Sequence, residues 1–140
     1  IGVQAYTRML VGPEGVMPVP AGAPTTDAGY EYYPPALGNT VRYAAKTSGK
    51  PVIITESGIA TNDDARRIAF IDATLAEVRQ CVAEGIDLRG YLHWSLLDNF
   101  EWTKGYSQRF GLVAVDRKTF NRTPKPSAHH LGRIARSNSL

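Results

Sequence analysis

Hydrophobic and polar positions alternate in a way that predicts strands and helices in turn. Ile1 to Tyr6 reads as a short strand. Gly12 to Pro35 is rich in Gly, Pro, Ala and Thr and follows neither a period of 2 nor one of 3.6, which predicts a long loop. From Pro35 to Thr47 the spacing of Leu37, Val41 and Ala44 or Ala45 predicts a modest helix, closed by Ser48-Gly49-Lys50-Pro51. The run Val52-Ile53-Ile54-Thr55 is β-branched and short, as a buried-type strand should be, and it ends in Glu56-Ser57-Gly58.

The clearest helix comes after Thr61-Asn62. Asp63 and Asp64 stand in its first turn, where carboxylates suit the positive end of the dipole. Ile68, Ile71, Leu75, Val78 and Val82 recur at three and four residues and predict one buried face, with Cys81 beside it as core filler. Gly85 is placed to end the helix. Arg89 to Ser95 predicts a further strand and Gly111 to Asp116 another short one. The order is strand, helix, strand, helix, strand, with crossovers too long for hairpins, so the expected class is α/β with a parallel sheet. Three such units cannot close an eight-stranded barrel.

At 140 residues the chain is expected to form one domain, 1–140. A net charge of +3 with no run of five basic residues argues against a nucleic-acid partner, and Arg133 and Arg136 are expected to be solvated. No apolar stretch approaches the roughly 18 residues of a membrane span. Cys81 is the only cysteine, which excludes an internal disulfide and a cysteine zinc site and makes a cytoplasmic setting the simplest expectation. Asn121-Arg122-Thr123 satisfies the glycosylation pattern but carries little weight without a secretory signal. The opening Ile1-Gly2-Val3, in mid-strand, suggests a chain cut from something longer or processed.

The chemistry concentrates at two strand ends. A strand that finishes in a carboxylate and a glycine holds one acid, Glu56, at the rim of a sheet. The second strand opens into Trp94-Ser95-Leu96-Leu97-Asp98-Asn99-Phe100-Glu101-Trp102, where two tryptophans flank another carboxylate. Carboxylates near aromatic faces suit a sugar, whose C–H face stacks on indole and whose hydroxyls donate to carboxylate oxygens.

Thr55-Glu56-Ser57-Gly58, the block from Trp94 to Trp102, Gly105-Tyr106-Ser107-Gln108-Arg109-Phe110-Gly111 and Arg122-Thr123-Pro124-Lys125 together resemble the C-terminal portion of glycoside hydrolase family 1, the β-glucosidases and related retaining enzymes. The resemblance implies a partial (β/α)8 TIM barrel, roughly its last three βα units, with the site at the C-terminal ends of the strands. It implies Glu56 as catalytic nucleophile and Glu101 as acceptor for hydroxyls on the far side of the sugar. Trp94 and Trp102 would form the floor and side of the sugar subsite, with Phe110 lining it and the Tyr6 hydroxyl bonded to the nucleophile. Two positions depart from the family pattern. Gln4-Ala5-Tyr6 stands where Asn-Tyr-Tyr is usual, and Ser57 where asparagine is most common. His93 is expected to face the helix layer, and His129 and His130 lack a third metal ligand. No cofactor is implied.

The family's acid/base glutamate belongs to an Asn-Glu-Pro motif that does not occur here. Glu77 and Glu84 fall on the long helix, and Glu14 and Glu31 in the irregular loop. The isolated chain is therefore expected to be nearly inactive and to need the N-terminal barrel portion, as a preceding segment or a separate chain, or less readily a second copy of itself. Two functions stay open: an enzyme part acting on a β-linked glucoside, or a truncated module that holds sugar without cleaving it. The residues leave the sugar open among glucose, galactose, fucose and a phosphorylated form, for which Lys104 alone is a weak pointer.

Overall fold

The computed structural model describes residues 1–139, so only the last residue of the expected domain lies outside it. Three strands, β1 (Gly2–Gln4), β4 (Val52–Ser57) and β5 (Leu88–His93), form one parallel sheet in the order β1-β4-β5. Helix α1 (Pro35–Ser48) connects the first pair and α2 (Asp64–Ala83) the second. The strand–helix alternation and the parallel sheet agree with the sequence pattern, although β1 is shorter than the expected run to Tyr6.

Elsewhere the structure corrects the sequence reading. The long loop contains a small hairpin, β2 (Val11–Gly12) with β3 (Gly15–Val16), which turns at Pro13 and Glu14 and leaves the turn through Gly15 with φ of 109°. Two-residue strands are too short to print a period on the sequence. The strand expected over Gly111 to Asp116 is β6 (Val113–Val115). It pairs antiparallel with β7 (Arg122–Pro124), an element not anticipated because Pro124 and exposed polar residues mask it. Leu97 makes a lone parallel bridge to Val113. Helix α3 (Pro126–Ser137) closes the described chain.

On α2, Asp63 is the cap rather than part of the first turn: its side chain accepts from the Ala65 and Arg66 N–H groups. The buried face is Arg67, Phe70, Ile71, Thr74, Leu75 and Cys81. Val82, expected in the stripe, is 53% exposed. The stripe drifted because Arg67 and Thr74 are buried for their hydrogen bonds, which a hydrophobic pattern does not count. Arg67 donates to the carbonyls of Thr61 and Arg109, tying α2 to the loop beyond β5.

Val52 and Ile54 point from β4 into a core with Val3, Leu37, Val41 and Cys81, and a second cluster joins Ile71 and Leu75 to Leu112 and the inner side of α3. The opposite face of the sheet is bare, with Ile53 38% and Leu92 55% exposed. Strict alternation from Val52 and Ile54 would put Glu56 on the helix side. The register prevents this: Val3 pairs with Ile54 but Gln4 with Glu56, and across the sheet Ile54 pairs with Tyr91 but Ser57 with His93. One extra residue in β4 reverses the facing of the positions after it. Ser57 is buried, and Glu56 shares the open side with Gln4.

A Cβ on Gly58 would run into the Trp94 carbonyl oxygen, so glycine is what lets the end of β4 approach the end of β5. Among the described residues, no helix is long and apolar enough to cross a membrane.

Candidate active site

Glu56 lies at the C-terminal end of β4 and both its oxygens are engaged. Gln4 Nε2 donates to Oε1 at 2.8 Å and the Tyr6 hydroxyl to Oε2 at 2.6 Å. The longer amide side chain at position 4 therefore still reaches the carboxylate. Burial, then the hydrogen bond to Glu56 and the charge of that carboxylate, push the Tyr6 phenol well above its ordinary value, so it stays protonated as a donor. The Tyr6 ring packs edge-on against Phe110, with centroids 5.9 Å apart. Phe110 is buried and pinned to the end of β5, since its carbonyl accepts from the Ser95 N–H.

Beyond β5 the chain passes through a cis Trp94–Ser95 peptide. Trp94 Nε1 donates to Glu101 Oε1 at 3.2 Å, and Asn99 Nδ2 donates to the same oxygen at 2.6 Å. Trp102 comes next with φ of 41° and is 87% exposed in this chain. It starts a 3₁₀ turn, Trp102–Lys104, whose ends meet through the Glu101 N–H and the Gly105 carbonyl. Phe100 packs edge-on with Tyr106, and the Arg117 guanidinium lies 4.1 Å from the centre of the Tyr106 ring.

This segment is anchored from below by Asp98. Its Oδ1 accepts from the Gly111 N–H and from Lys125 Nζ, both at 2.9 Å, and Lys125 also donates to the Gly111 carbonyl. Burial pulls the Lys125 amine below its ordinary range, against the Asp98 hydrogen bond that supports its charge. Gly111 packs directly on the Leu97–Asp98 backbone, where no side chain fits.

The expected site residues thus form two linked groups: Glu56 with Tyr6 and Phe110, and Glu101 with Trp94. The groups are joined through the backbone, where the N–H of Ser95, next to Trp94, donates to the Phe110 carbonyl at 3.2 Å. Trp102 joins the second by chain adjacency, with its ring free in solvent. Gln4, Asn99 and the Asp98–Lys125 pair complete the arrangement. Their signal in the sequence was only their closeness to Tyr6 and Glu101 or their place inside the family motifs. Glu31 is no free acid, being buried in a two-bond ion pair with Arg8. His130 spends Nε2 on Asp72 at 2.6 Å.

Behind the site, His93 faces the helix layer as expected, with Nδ1 2.9 Å from the Tyr91 hydroxyl. Burial, then the positive charge of Arg67, push His93 from its ordinary 6.5 down to about 4. The unfolded chain binds the proton near 6.5, so between there and about 4 it holds more protons than the folded one. Stability is full above that window and lost as pH falls through it, by about 3 kcal/mol for this one ring. Unfolding midpoints of the assembled protein and of His93→Gln, compared from pH 7.5 to 4, should show the wild type losing more. Parallel curves would show that His93 is not the group responsible.

A parallel strand–helix run thus brings carboxylates, indoles and a phenol donor to its strand ends, in an α/β protein. The chain belongs to glycosyl hydrolase family 1, whose family model matches residues 12–140. It is 37% identical to a beta-galactosidase of Sulfolobus acidocaldarius, over all of this chain and 32% of that protein. Among solved structures, the apo structure of beta-glucosidase 1317 superposes with a TM-score of 0.96 at 53% identity, covering 99% of this chain and 35% of the other. A beta-glucosidase from Thermotoga maritima in complex with glucoimidazole matches with a TM-score of 0.93 at 35% identity, over 99% of this chain and 34% of that one. The chain spans about a third of the length of these relatives.

Proposed function

We propose that this chain is the nucleophile-bearing, C-terminal part of a retaining β-glycosidase barrel, acting on a β-linked glucoside or a related small glycoside. The observation that carries the reading is the carboxylate of Glu56, held at a strand end by Gln4 and Tyr6 on the open face of the sheet. Glu56 attacks the anomeric carbon and forms a glycosyl-enzyme ester, while a second carboxyl about 5–5.5 Å away protonates the departing oxygen and then activates water. That acid comes from outside these 140 residues, on the strands that complete the barrel and cover Ile53 and Leu92.

Each remaining side chain has a part. Tyr6 stabilises Glu56 as the anion, because its phenol keeps its proton and donates it to the carboxylate. Glu101 accepts from hydroxyls remote from the anomeric carbon, and Trp94 and Trp102 offer apolar faces to the ring, with Phe110 closing the wall behind Tyr6. A module that only held sugar would need the tryptophans and Glu101 but would have no use for a carboxylate fixed by two donors at the strand end. The Glu56–Tyr6 bond therefore favours the enzyme.

The test is covalent trapping. In the completed barrel, a 2-deoxy-2-fluoro-β-glucoside with a good leaving group should add one sugar to the peptide that contains Glu56. A label on another residue would overturn the assignment.

A further inference from the structure

We propose that Asn99 is a positioning residue that sets how Glu101 meets the sugar; this rests on the role proposed for Glu101. The backbone at Glu101 belongs to neither helix nor strand, with φ of −104° and ψ of 75°, and it leads into a three-residue turn. Nothing in such a turn directs a glutamate side chain. Two donors do so, and both act on the same atom: Asn99 Nδ2 at 2.6 Å and Trp94 Nε1 at 3.2 Å, each to Oε1.

A carboxylate oxygen has two lone-pair sites. Oε1 is thus filled by the protein, and Oε2 is the oxygen presented to hydroxyl donors. The shorter of the two bonds comes from Asn99, which makes it the stronger hold on the side chain. The amide is itself oriented. Its oxygen lies 3.1 Å from Ser95 Oγ, whose single proton is shared with the Leu97 carbonyl at 2.7 Å. Turning the amide over would set its oxygen against the charged Oε1, so the charge of Glu101 selects this orientation. Asn99 needs no contact with the sugar: it acts through Glu101.

The experiment compares a β-glucoside with its 4-deoxy and 6-deoxy analogues in the completed enzyme carrying Asn99→Ala or Asn99→Asp. Asn99→Ala should raise KM for the parent sugar about tenfold, the loss of one hydrogen bond to a charged group. kcat should move less, and the penalty for removing the remote hydroxyl should shrink. Asn99→Asp keeps the shape but puts an acceptor against Oε1, so it should raise KM more than alanine does. A packing role predicts the reverse order.

Equal losses for parent and deoxy sugars, an aspartate variant milder than alanine, or a wild type indifferent to both deoxygenations would overturn the proposal. None of these results touches Glu56. An active Glu56→Gln enzyme would remove the nucleophile assignment and leave the role of Glu101 standing, so the two failures are distinguishable.

Discussion

Glu56→Gln in the completed barrel should lower kcat by about 10⁴-fold or more, the scale on which removing an enzyme's nucleophile acts. The substitution is nearly isosteric. Its carbonyl oxygen can accept from Gln4 Nε2 in the place of Oε1, and its NH₂ can donate to the Tyr6 oxygen in the place of Oε2. The thermal midpoint should therefore stay close to that of the wild type while turnover collapses. KM should change far less than kcat, because an amide in the same place obstructs no sugar. Trapping by the fluorosugar should vanish in the same variant. A kcat within about tenfold of the wild type would remove Glu56 from the chemistry.

The bulge in β4 shows where the sequence was legible and where it was not. The β-branched run and the terminal Glu56 made the strand and its acid visible, since both follow from local propensity. The direction of Glu56 did not, because alternation from Val52 and Ile54 points it at the helices. Only pairing to two neighbours, with Gln4 opposite Glu56 and Ser57 opposite His93, shows the one-residue shift. Register is a property of three strands together, and a single segment does not contain it. The same holds for α2. Its apolar spacing located the helix, but Arg67 is buried because carbonyls at Thr61 and Arg109, 42 residues apart from it in the second case, accept from its guanidinium.

The site shows a similar division. Glu56, Tyr6, Trp94, Glu101, Trp102 and Phe110 could be named from motifs, and the structure joins most of them by direct bonds or ring packing. The supporting residues were hidden. Asp98 and Lys125 meet across 27 residues through the close approach of Gly111, and only that fold-back makes them partners. Gln4, one methylene longer than the asparagine usual at its position, reaches Glu56 at 2.8 Å because the shifted register sets the two residues opposite each other.

The second large effect follows from the proposal that the general acid comes from outside these 140 residues. Mixed alone with an alkyl β-glucoside, whose leaving group needs a proton, the 140-residue chain should turn over at the background rate. General acid catalysis is worth about 10²–10⁴-fold by itself, and the sugar contacts contributed by the rest of the barrel add to that. The bare face around Ile53 and Leu92 gives the missing strands something to cover, so association should be driven by apolar burial as well as by pairing at the sheet edges. Titration with the polypeptide that carries the preceding strands should restore activity and saturate at one copy per chain. Two substrates should then respond differently to loss of the acid. With the donated glutamate changed to alanine, an alkyl glucoside should lose most of its rate. A dinitrophenyl glucoside, whose leaving group departs unprotonated, should keep its first step and stall at hydrolysis of the Glu56 ester. Full activity of the chain alone on the alkyl glucoside would mean that one of its own carboxyls is the acid, and the division of labour between the two parts would fall.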